Sequence, residues 1–381
     1  MTLTNEELER YGRHLTLPGV GLEGQAKLKA ARVAVVGAGG LGSPVSLYLA
    51  AAGVGTIGLI EFDVVDASNL QRQILYAASD VGRSKLEAAT ERLRALNQHV
   101  TIVPHGARLT SQNALEVLAA YDVVVDGTDN FPTRYLLNDA CALLGMPFVY
   151  GSIFRFEGQI SVFDPARGGC YRCLFREPPP PGLVPSCAEA GVFGVLPGIV
   201  GSVQALEAIK LILGIGETLV GRLLLFDALA LTWREMKLRA NPKCPAGGEN
   251  RTITHLIDYE EFCGMTENQQ PERRVGAIDA LGLKERLDRG DDITIIDVRE
   301  PFEWEIGNLA PQGARLIPMK QVLDRLDEID PAADIVVHCR SGSRSRKVAE
   351  ALIERGYTRV ANLEGGILGW AEHVDPSIPR Y

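Results

Sequence analysis

A glycine-rich turn near the start of the chain limits the fold more than any other feature. Residues 37–42 read GAGGLG; they follow the valine-rich segment 32–36 and precede a helical pattern over residues 43–52. Glycines at this spacing permit a tight turn between strand and helix, and the free N–H groups at the helix N-terminus favour phosphate. The turn therefore predicts the first βαβ unit of a nucleotide-binding α/β domain.

Strand and helix patterns alternate after this turn. Such alternation predicts a doubly wound, Rossmann-like sheet, which later strands extend beyond the nucleotide-binding half. The predicted strands cover residues 56–62, 101–104, 122–126, 148–150, 158–163 and 222–227, and the predicted helices 85–96 and 113–120. A second, smaller α/β pattern has predicted strands at 293–298 and 334–338 and predicted helices at 319–328 and 343–355.

An irregular, polar stretch separates the two patterns. We expect an ATP-binding domain over residues 1–248, a linker over 249–272 and a small α/β domain over 273–381, each domain being of ordinary size. A run of four prolines at 178–181 predicts a loop inside the first domain.

Composition narrows the class of protein. The 381 residues are 46% hydrophobic and 23% charged, as in soluble globular proteins, and the net charge of -9 argues against a nucleic-acid partner. Seven cysteines fit metal or catalytic thiols in a reducing compartment. The charged N-terminus lacks the pattern of a signal peptide, and Glu207 and Lys210 interrupt the most apolar region, so we expect a buried helix there. These features predict a cytoplasmic protein with no membrane partner.

Charged residues around the glycine turn point to a triphosphate. Glu61 ends the second predicted strand, where an acidic side chain can hold a ribose hydroxyl, and on this basis alone a nicotinamide dehydrogenase would be the default. Arg72 follows the second predicted strand, Lys85 lies at the start of a predicted helix, and Asp129 follows the predicted strand that ends at residue 126. Two cations and a carboxylate suit ATP with Mg²⁺ better than the two phosphates of a dinucleotide.

Five ordered motifs then carry a family resemblance. They occupy residues 9–14, 37–42, 68–73, 127–130 and 187–191. Over residues 4–248 the chain resembles the ubiquitin-activating superfamily, and most closely the MoeB/ThiF-like adenylyltransferases that serve molybdopterin synthase and thiamine biosynthesis. The resemblance implies ATP-dependent adenylation of the C-terminal glycine of a ubiquitin-like sulfur-carrier protein of the MoaD/ThiS type.

The resemblance also implies roles for individual residues. Asp129 would bind Mg²⁺, and Arg13 would reach into the partner subunit's site, so a homodimer is implied. The family usually has Asp at the ribose position, where this chain has the longer Glu61. The implied nucleotide-binding residues are Gly37, Gly39, Gly40, Gly42, Glu61, Asp63, Ser68, Asn69, Leu70, Gln71, Arg72, Lys85, Asp129 and Asn130.

Cys170 and Cys173 form half of a tetrahedral thiolate site, because C-x-x-C with a distant partner pair is typical of structural zinc. The resemblance implies a second pair about seventy residues later, of which only Cys244 is present; the fourth place is Gly247. Three interpretations stay open. Three thiolates and water bind zinc, Cys263 or His255 substitutes for the missing ligand, or the site is lost and the thiols are merely buried.

Cys187 follows the proline loop. The resemblance implies a covalent role for Cys187 with the carrier or its sulfur, and a non-catalytic cysteine is the alternative.

Cys339 has the features of a nucleophile. It follows the predicted strand 334–338 and precedes a loop that leads into a helix, Arg340, Ser341, Gly342, Ser343, Arg344 and Ser345. Loop N–H groups, the helix dipole and two arginines favour a thiolate. Four residues separate Cys339 from Arg344, where tyrosine phosphatases have five, and the tighter ring suits a single sulfur atom.

This loop and its flanking motifs, over about residues 273–381, resemble rhodanese sulfurtransferases, which implies that Cys339 carries a persulfide. Gly307 and Asn308 depart from the family's usual Gly-His. The fusion predicts adenylation of the carrier followed by sulfur transfer from a cysteine desulfurase or thiosulfate, giving a thiocarboxylate. The alternatives are an NAD-dependent oxidoreductase, a scaffold with an idle nucleotide site, and an enzyme that conjugates the carrier to a protein.

Overall fold

A computed structural model describes residues 2–180, 191–247, 251–264 and 275–381. The chain forms two compact units, Met1–Glu267 and Asn268–Tyr381. Each unit is built on its own sheet.

The first unit has an eight-stranded sheet in the order β3-β2-β1-β4-β5-β6-β7-β8. The pairings among β1 to β5 are parallel, and those from β5 to β8 are antiparallel. This confirms the prediction of a Rossmann-like sheet with an extension. The strands are β1 (Arg32–Val36), β2 (Thr56–Ile60), β3 (Thr101–His105), β4 (Val123–Asp126), β5 (Phe148–Phe154), β6 (Glu157–Phe163), β7 (Arg222–Asp227) and β8 (Thr232–Lys237).

Helices cover this sheet. Those described in the first unit are α1 (Asn5–Arg10), α2 (Gly12–Leu15), α3 (Gly21–Ala30), α4 (Gly42–Ala52), α5 (Lys85–Leu96), α6 (Ala114–Leu118), α7 (Phe131–Leu144), α8 (Tyr171–Leu174), α9 (Leu196–Leu213) and α10 (Tyr259–Phe262).

Helix α9 is long and apolar enough to cross a membrane by length and composition alone. Half of it is buried, and it packs against α4, β5 and β6. The buried Glu207 accepts a hydrogen bond from the backbone N–H of Leu219 at 2.7 Å. These contacts are those of a helix in the core of a domain, as the sequence predicts.

The central strands bring the glycine turn to one edge of the sheet. In β1 and β4 nearly every residue is buried, and valines pair in parallel register, such as Val33 with Val123. Parallel strands covered by helices on both faces need such continuous apolar runs. The carboxyl ends of β1, β2 and β4 therefore meet where ligands bind in open α/β sheets.

The second unit has a five-stranded sheet in the order β11-β10-β12-β13-β9, with parallel pairings throughout. Its strands are β9 (Gly276–Ile278), β10 (Ile293–Asp297), β11 (Arg315–Leu316), β12 (Asp334–His338) and β13 (Val360–Leu363). Its described helices are α11 (Ala280–Asp288), α12 (Pro301–Ile306), α13 (Ser343–Glu354) and α14 (Gly366–His373).

The helix predicted over residues 319–328 is wrong. Two short 3-10 turns, Val322–Asp324 and Leu326–Glu328, take its place. The hydroxyl of Tyr357 lies 3.1 Å from the carbonyl oxygens of Leu326 and Ile329, so a side chain from a later segment holds the end of the second turn. The apolar spacing is helical, but this tertiary contact favours separate turns.

Candidate active sites

Close backbone contacts at Gly42 and Gly127 leave no room for a side chain at either position. Gly37 has a φ of +90°, and a Cβ at Gly42 would lie 1.8 Å from the carbonyl oxygen of Gly37. A Cβ at Gly127, just after β4, would lie 2.3 Å from the same oxygen. The turn from β1 into α4 therefore packs directly on the loop after β4, and its N–H groups stay at the sheet edge.

The side chain of Glu61 binds the backbone of this turn. The buried carboxylate accepts hydrogen bonds from the backbone N–H of Ala38 at 2.9 Å, of Phe62 at 2.8 Å and of Asp63 at 3.0 Å. Both oxygens are thus bonded to backbone, and this side chain fastens the end of β2 to the glycine turn. The role that sequence predicts for Glu61 at a ribose stays a prediction.

The two predicted phosphate-binding cations lie on segments that surround the turn. Lys85, at the start of α5, is buried and its ammonium lies 3.1 Å from Asp63. The guanidinium of Arg72 donates to the carbonyl oxygen of Ser68 at 3.1 Å. A Cβ placed on Gly40 would lie 3.6 Å from Cγ of Arg72, so that side chain runs beside the glycine turn.

The loop after β4 carries an exposed and a buried carboxylate. Asp129 is exposed, and Asn130 caps α7 by accepting the N–H of Thr133 at 2.9 Å. Beneath them Asp126 is fully buried and lies 3.4 Å from the buried Arg134. Burial raises the pKa of Asp126, and Arg134 and Thr128 lower it only in part. The sequence alone does not identify Arg134, because no motif or spacing relates this helical residue to Asp126.

Arg13 lies at the other end of α4. Two residues before it, the ring of Tyr11 packs against Gly53, which ends α4, and the Tyr11 hydroxyl accepts a hydrogen bond from Asn97 at 2.8 Å. Eleven helical residues span roughly 16 Å. The exposed Arg13 is therefore remote from the glycine turn of its own chain.

Cys170, Cys173 and Cys244 come together, with all three sulfur atoms within 4.8 Å of one another. A Cβ at Gly247 would lie 4.0 Å from the sulfur of Cys170, so the fourth place in the cluster faces a residue without a side chain. Hydrogen bonds from Cys170 and Cys244 lower the pKa of Cys173 and favour a thiolate. Among the described residues, neither Cys263 nor His255 belongs to this group, so neither substitutes for the missing ligand.

An ion pair next to this cluster fixes the last described segment of the first unit. Arg172, inside the C-x-x-C, binds both oxygens of Asp139 at 2.8 and 2.7 Å, and the hydroxyl of Tyr259 donates to Asp139 at 2.8 Å. The guanidinium also lies 4.6 Å from the ring centre of Phe262. All of these polar atoms are paired in a buried setting, as a stable buried charge requires.

In the second unit Cys339 lies at the base of a loop between β12 and α13. The side chain is 1% exposed, and its sulfur accepts from the N–H of Gly342 at 3.2 Å and the hydroxyl of Ser345 at 3.4 Å. Gly342 has a φ of +98°, a left-handed conformation that turns the chain into α13. The loop and the first turn of α13 thus each direct one donor at the sulfur. Cys187 lies outside the described residues.

Two ion pairs lie close to this loop. Arg344 binds both oxygens of Glu303 at 2.7 Å, and the fully buried Arg299 binds Asp297 at 2.6 Å. Burial by itself raises the pKa of Glu303. Hydrogen bonds from Arg344 and from the backbone N–H of Glu300 lower the pKa by more than burial raises it, so it lies below the ordinary value. The sequence alone does not identify Glu303. A local signal for it is its place in the PFEW motif, four residues after Arg299.

Family models match both units. The ThiF family matches residues 11–246, and the Rhodanese-like domain matches residues 279–373.

Similar proteins carry names for both activities. A probable adenylyltransferase/sulfurtransferase MoeZ of Mycobacterium tuberculosis is 47% identical over 100% of this chain and 96% of its own length. Adenylyltransferase and sulfurtransferase MOCS3 of Sus scrofa is 42% identical over 100% of this chain and 89% of its own length. A sulfur carrier protein adenylyltransferase of Thermus thermophilus is 57% identical over 70% of this chain and 100% of its own length.

Among solved structures, Escherichia coli MccB with ATP matches with a TM-score of 0.57 and 23% identity, over 64% of this chain and 75% of that one. At this identity the likeness supports the fold alone. The family match covers most of the first unit, and the relatives share both units. The chain therefore belongs to the ThiF family and carries a rhodanese-like domain after its ThiF domain.

Proposed function

We propose that this chain adenylates the C-terminal glycine of a ubiquitin-like sulfur-carrier protein with ATP and then delivers sulfur to it as a thiocarboxylate. The observation that carries the proposal is the presence, in one chain, of a glycine turn flanked by Arg72 and Lys85 and of a thiol loop around Cys339. The first suits a triphosphate and the second suits a single sulfur atom. Both names borne by the relatives fit this pair of sites.

In the first reaction the carboxylate of the carrier attacks the α-phosphate of ATP. The bond from that phosphorus to the bridging oxygen breaks, and pyrophosphate leaves. Because the nucleophile is already ionised, the site needs fixed positive charge rather than a general base. Arg72, Lys85 and the N–H groups of the glycine turn supply this charge, and Mg²⁺ held by Asp129 would offset the remainder.

In the second reaction the outer sulfur of a Cys339 persulfide attacks the acyl carbon of the adenylate, and AMP leaves. The carrier is then joined to Cys339 through an acyl disulfide. A dithiol reduces the S–S bond, which releases the thiocarboxylate and returns Cys339 as a thiol while the dithiol becomes a disulfide. Thiosulfate or a cysteine desulfurase supplies the next sulfur. Cys187 is a candidate for a covalent step with the carrier.

A homodimer would complete the first site. Arg13 is exposed and lies about one helix length from its own glycine turn, so it can serve that turn only on another subunit. A second subunit would therefore contribute a cation to each adenylation site. The enzyme is proposed to act in the cytoplasm.

Zinc is proposed to bind Cys170, Cys173 and Cys244. Three sulfur atoms within 4.8 Å of one another meet the spacing that a tetrahedral thiolate site requires. Water would take the corner that Gly247 leaves, and the metal would be structural, because the cluster lies in the core beside the Arg172–Asp139 pair.

The proposed function is tested by intact mass spectrometry of a carrier that ends in Gly-Gly. The full chain is mixed with the carrier, ATP, Mg²⁺, thiosulfate and a dithiol. A mass gain equal to the replacement of one oxygen by sulfur, dependent on ATP and on Cys339, is expected. An unchanged carrier across several candidates, with no ATP–pyrophosphate exchange, would favour an idle nucleotide site and contradict the proposal.

A further inference from the structure

The end of the chain folds back onto the thiol loop of the second unit. After α14, Ile378 is buried, and Gly307 faces this tail: a Cβ at Gly307 would lie 3.1 Å from Ile378 and 3.3 Å from Pro379. The carbonyl oxygen of Gly307 in turn accepts a hydrogen bond from Arg299 at 2.8 Å. The tail is thus packed against the segment that follows α12, and this packing brings Tyr381 to the loop.

The phenol of Tyr381 bridges the two ion pairs behind the loop. Its oxygen accepts from Arg299 at 2.5 Å and its hydroxyl donates to Glu303 at 3.3 Å. Glu303 is the carboxylate that holds Arg344 with both oxygens. One hydroxyl therefore connects a fully buried ion pair to the one that orients an arginine of the thiol loop.

The main chain and ring of Tyr381 contact the other loop arginine. Nε of Arg340 donates to the main-chain oxygen of Tyr381 at 2.6 Å, and the guanidinium carbon lies 5.5 Å from the ring centre. Arg340 directly follows Cys339. Both arginines that flank the nucleophile are therefore held, one directly and one through Glu303, by the same residue.

We propose that Tyr381 is a positioning residue for sulfur transfer, which sets the orientation of Arg340 and Arg344 so that their charges face an anionic sulfur donor at Cys339. The inference rests on the proposed sulfur-transfer reaction. Arginine side chains lose much rotamer freedom when they are fixed, and fixing them before the donor arrives lowers the free energy needed for binding. Arg340 and Arg344 follow the thiol by one and five residues, and two fixed cations attract an anion more strongly than two mobile ones.

The test compares alkylation of Cys339 by iodoacetate, which is anionic, with alkylation by iodoacetamide, which is neutral. Each rate is followed on the Cys339 peptide by mass spectrometry in the full chain. Removal of the Tyr381 side chain in Tyr381→Ala is expected to lower the ratio of the two rates about threefold, because the two arginines lose their fixed orientation and the positive field at the sulfur weakens. Tyr381→Phe keeps the ring beside Arg340 and loses only the phenol bridge, so it is expected to give a smaller decrease.

Thiosulfate kinetics give the second readout. Removal of Tyr381 is expected to raise KM for thiosulfate several-fold with a smaller change in kcat. Arg380→Lys is the matched control, because Arg380 is the neighbouring residue of the tail, is exposed, and keeps its charge in this variant. An unchanged alkylation ratio and an unchanged KM in the folded variant would overturn the role of Tyr381.

The alkylation ratio does not depend on turnover. If the wild-type chain transferred no sulfur yet lost its preference for iodoacetate when Tyr381 was removed, the proposed function would fail while the positioning role stood. If removal of Tyr381 unfolded the second unit, as seen by tryptophan fluorescence, Tyr381→Phe would carry the test alone.

Discussion

The two active sites share one plan and differ in where their positive charge comes from. Each lies at the carboxyl end of a parallel strand, in a loop that leads into a helix. In the second unit both arginines follow the thiol closely: Arg340 lies in the thiol loop and Arg344 in the first turn of α13. In the first unit Arg72 and Lys85 come from later segments, and Arg13 lies at the far end of α4. The sulfur site is therefore proposed to need the residues of one unit alone, whereas the adenylation site is proposed to need a second subunit.

The difference follows from the size of the ligand. A single sulfur atom is surrounded by one loop, so neighbouring residues suffice. A triphosphate spreads its charge over a longer distance than one turn covers, so cations must converge from several segments. The property to test is therefore whether each site works with the residues of one chain alone.

The largest expected effect separates the two sites. Cys339→Ser is expected to lower sulfur transfer at least about 1000-fold, since the nucleophile is lost, and to leave ATP–pyrophosphate exchange unchanged. Asp129→Ala is expected to lose ATP–pyrophosphate exchange, which reports the adenylation step that precedes sulfur transfer. If Cys339→Ser abolished exchange in a folded chain, the two sites would not be independent.

Glycine substitutions test the backbone of each loop. Gly42→Ala would place a Cβ 1.8 Å from the Gly37 carbonyl oxygen and is expected to destabilise the first unit by about 1–3 kcal/mol and to abolish exchange. Gly366→Ala would place a Cβ 2.5 Å from the Cys339 carbonyl oxygen and is expected to abolish sulfur transfer alone. Gly39→Ala is the stability control, because its nearest neighbour would lie 3.6 Å away. Equal unfolding midpoints for Gly42→Ala and Gly39→Ala would contradict this argument.

Mixed subunits test whether the adenylation site is shared. Arg13→Ala and Lys85→Ala are each expected to lose exchange as pure proteins. After unfolding and co-refolding in equal amounts, half of the dimers contain one intact site of two, so exchange is expected to return to about a quarter of the wild-type level. No recovery in dimers shown to have mixed would mean that Arg13 acts within its own chain.

The Glu303–Arg344 pair predicts a pH-dependent stability of the second unit. The folded-state pKa of Glu303 lies below its ordinary value of 4.5, so the stability it contributes is complete above 4.5 and is lost as the pH falls through the folded value. Glu303→Gln is expected to cost about 1–3 kcal/mol at neutral pH. The gap to wild type should narrow below pH 4.5.

This effect is measured by tryptophan fluorescence in a Trp233→Phe background, which leaves Trp304 and the buried Trp370 to report on the second unit. A gap that stays constant across this pH range would show that the charge of Glu303 does not contribute to folding.

The smallest expected effect concerns the thiol cluster. Gly247→Cys would supply a fourth sulfur near Cys170, so zinc should resist removal by a chelator longer than in the wild-type chain. Cys244→Ala is the matched loss variant. Zinc content is measured by elemental mass spectrometry, and equal retention in Gly247→Cys and wild type would place residue 247 outside the metal shell.

Local patterns predict the elements that rest on local causes. The bounds Arg32–Val36, Lys85–Leu96 and Asp334–His338 agree with the predicted segments, because apolar runs and helix starts are written in neighbouring residues. The 3-10 turns near Leu326 are not predictable in this way, since Tyr357 lies 31 residues further along the chain.

The same distinction holds for the sites. The glycine turn and the Cys339 loop are visible as motifs, although the roles of their residues stay predictions. The contact of Tyr381 with Glu303 joins positions 78 residues apart, and no periodicity or motif brings these two together. Side chains that position a catalytic loop from a distance therefore need the fold to be known.

The pair of Arg172 and Asp139 has a consequence for anyone who wishes to produce the two enzymes separately. Tyr259 and Phe262 complete the environment of that pair, and they lie beyond the cysteine cluster in the chain. A gene fragment that stopped at residue 248 would lose both side chains and expose the Asp139 carboxylate and one face of the Arg172 guanidinium. A fragment that runs through Gly264 would retain its native surroundings, and truncation there should yield the more soluble adenylating half.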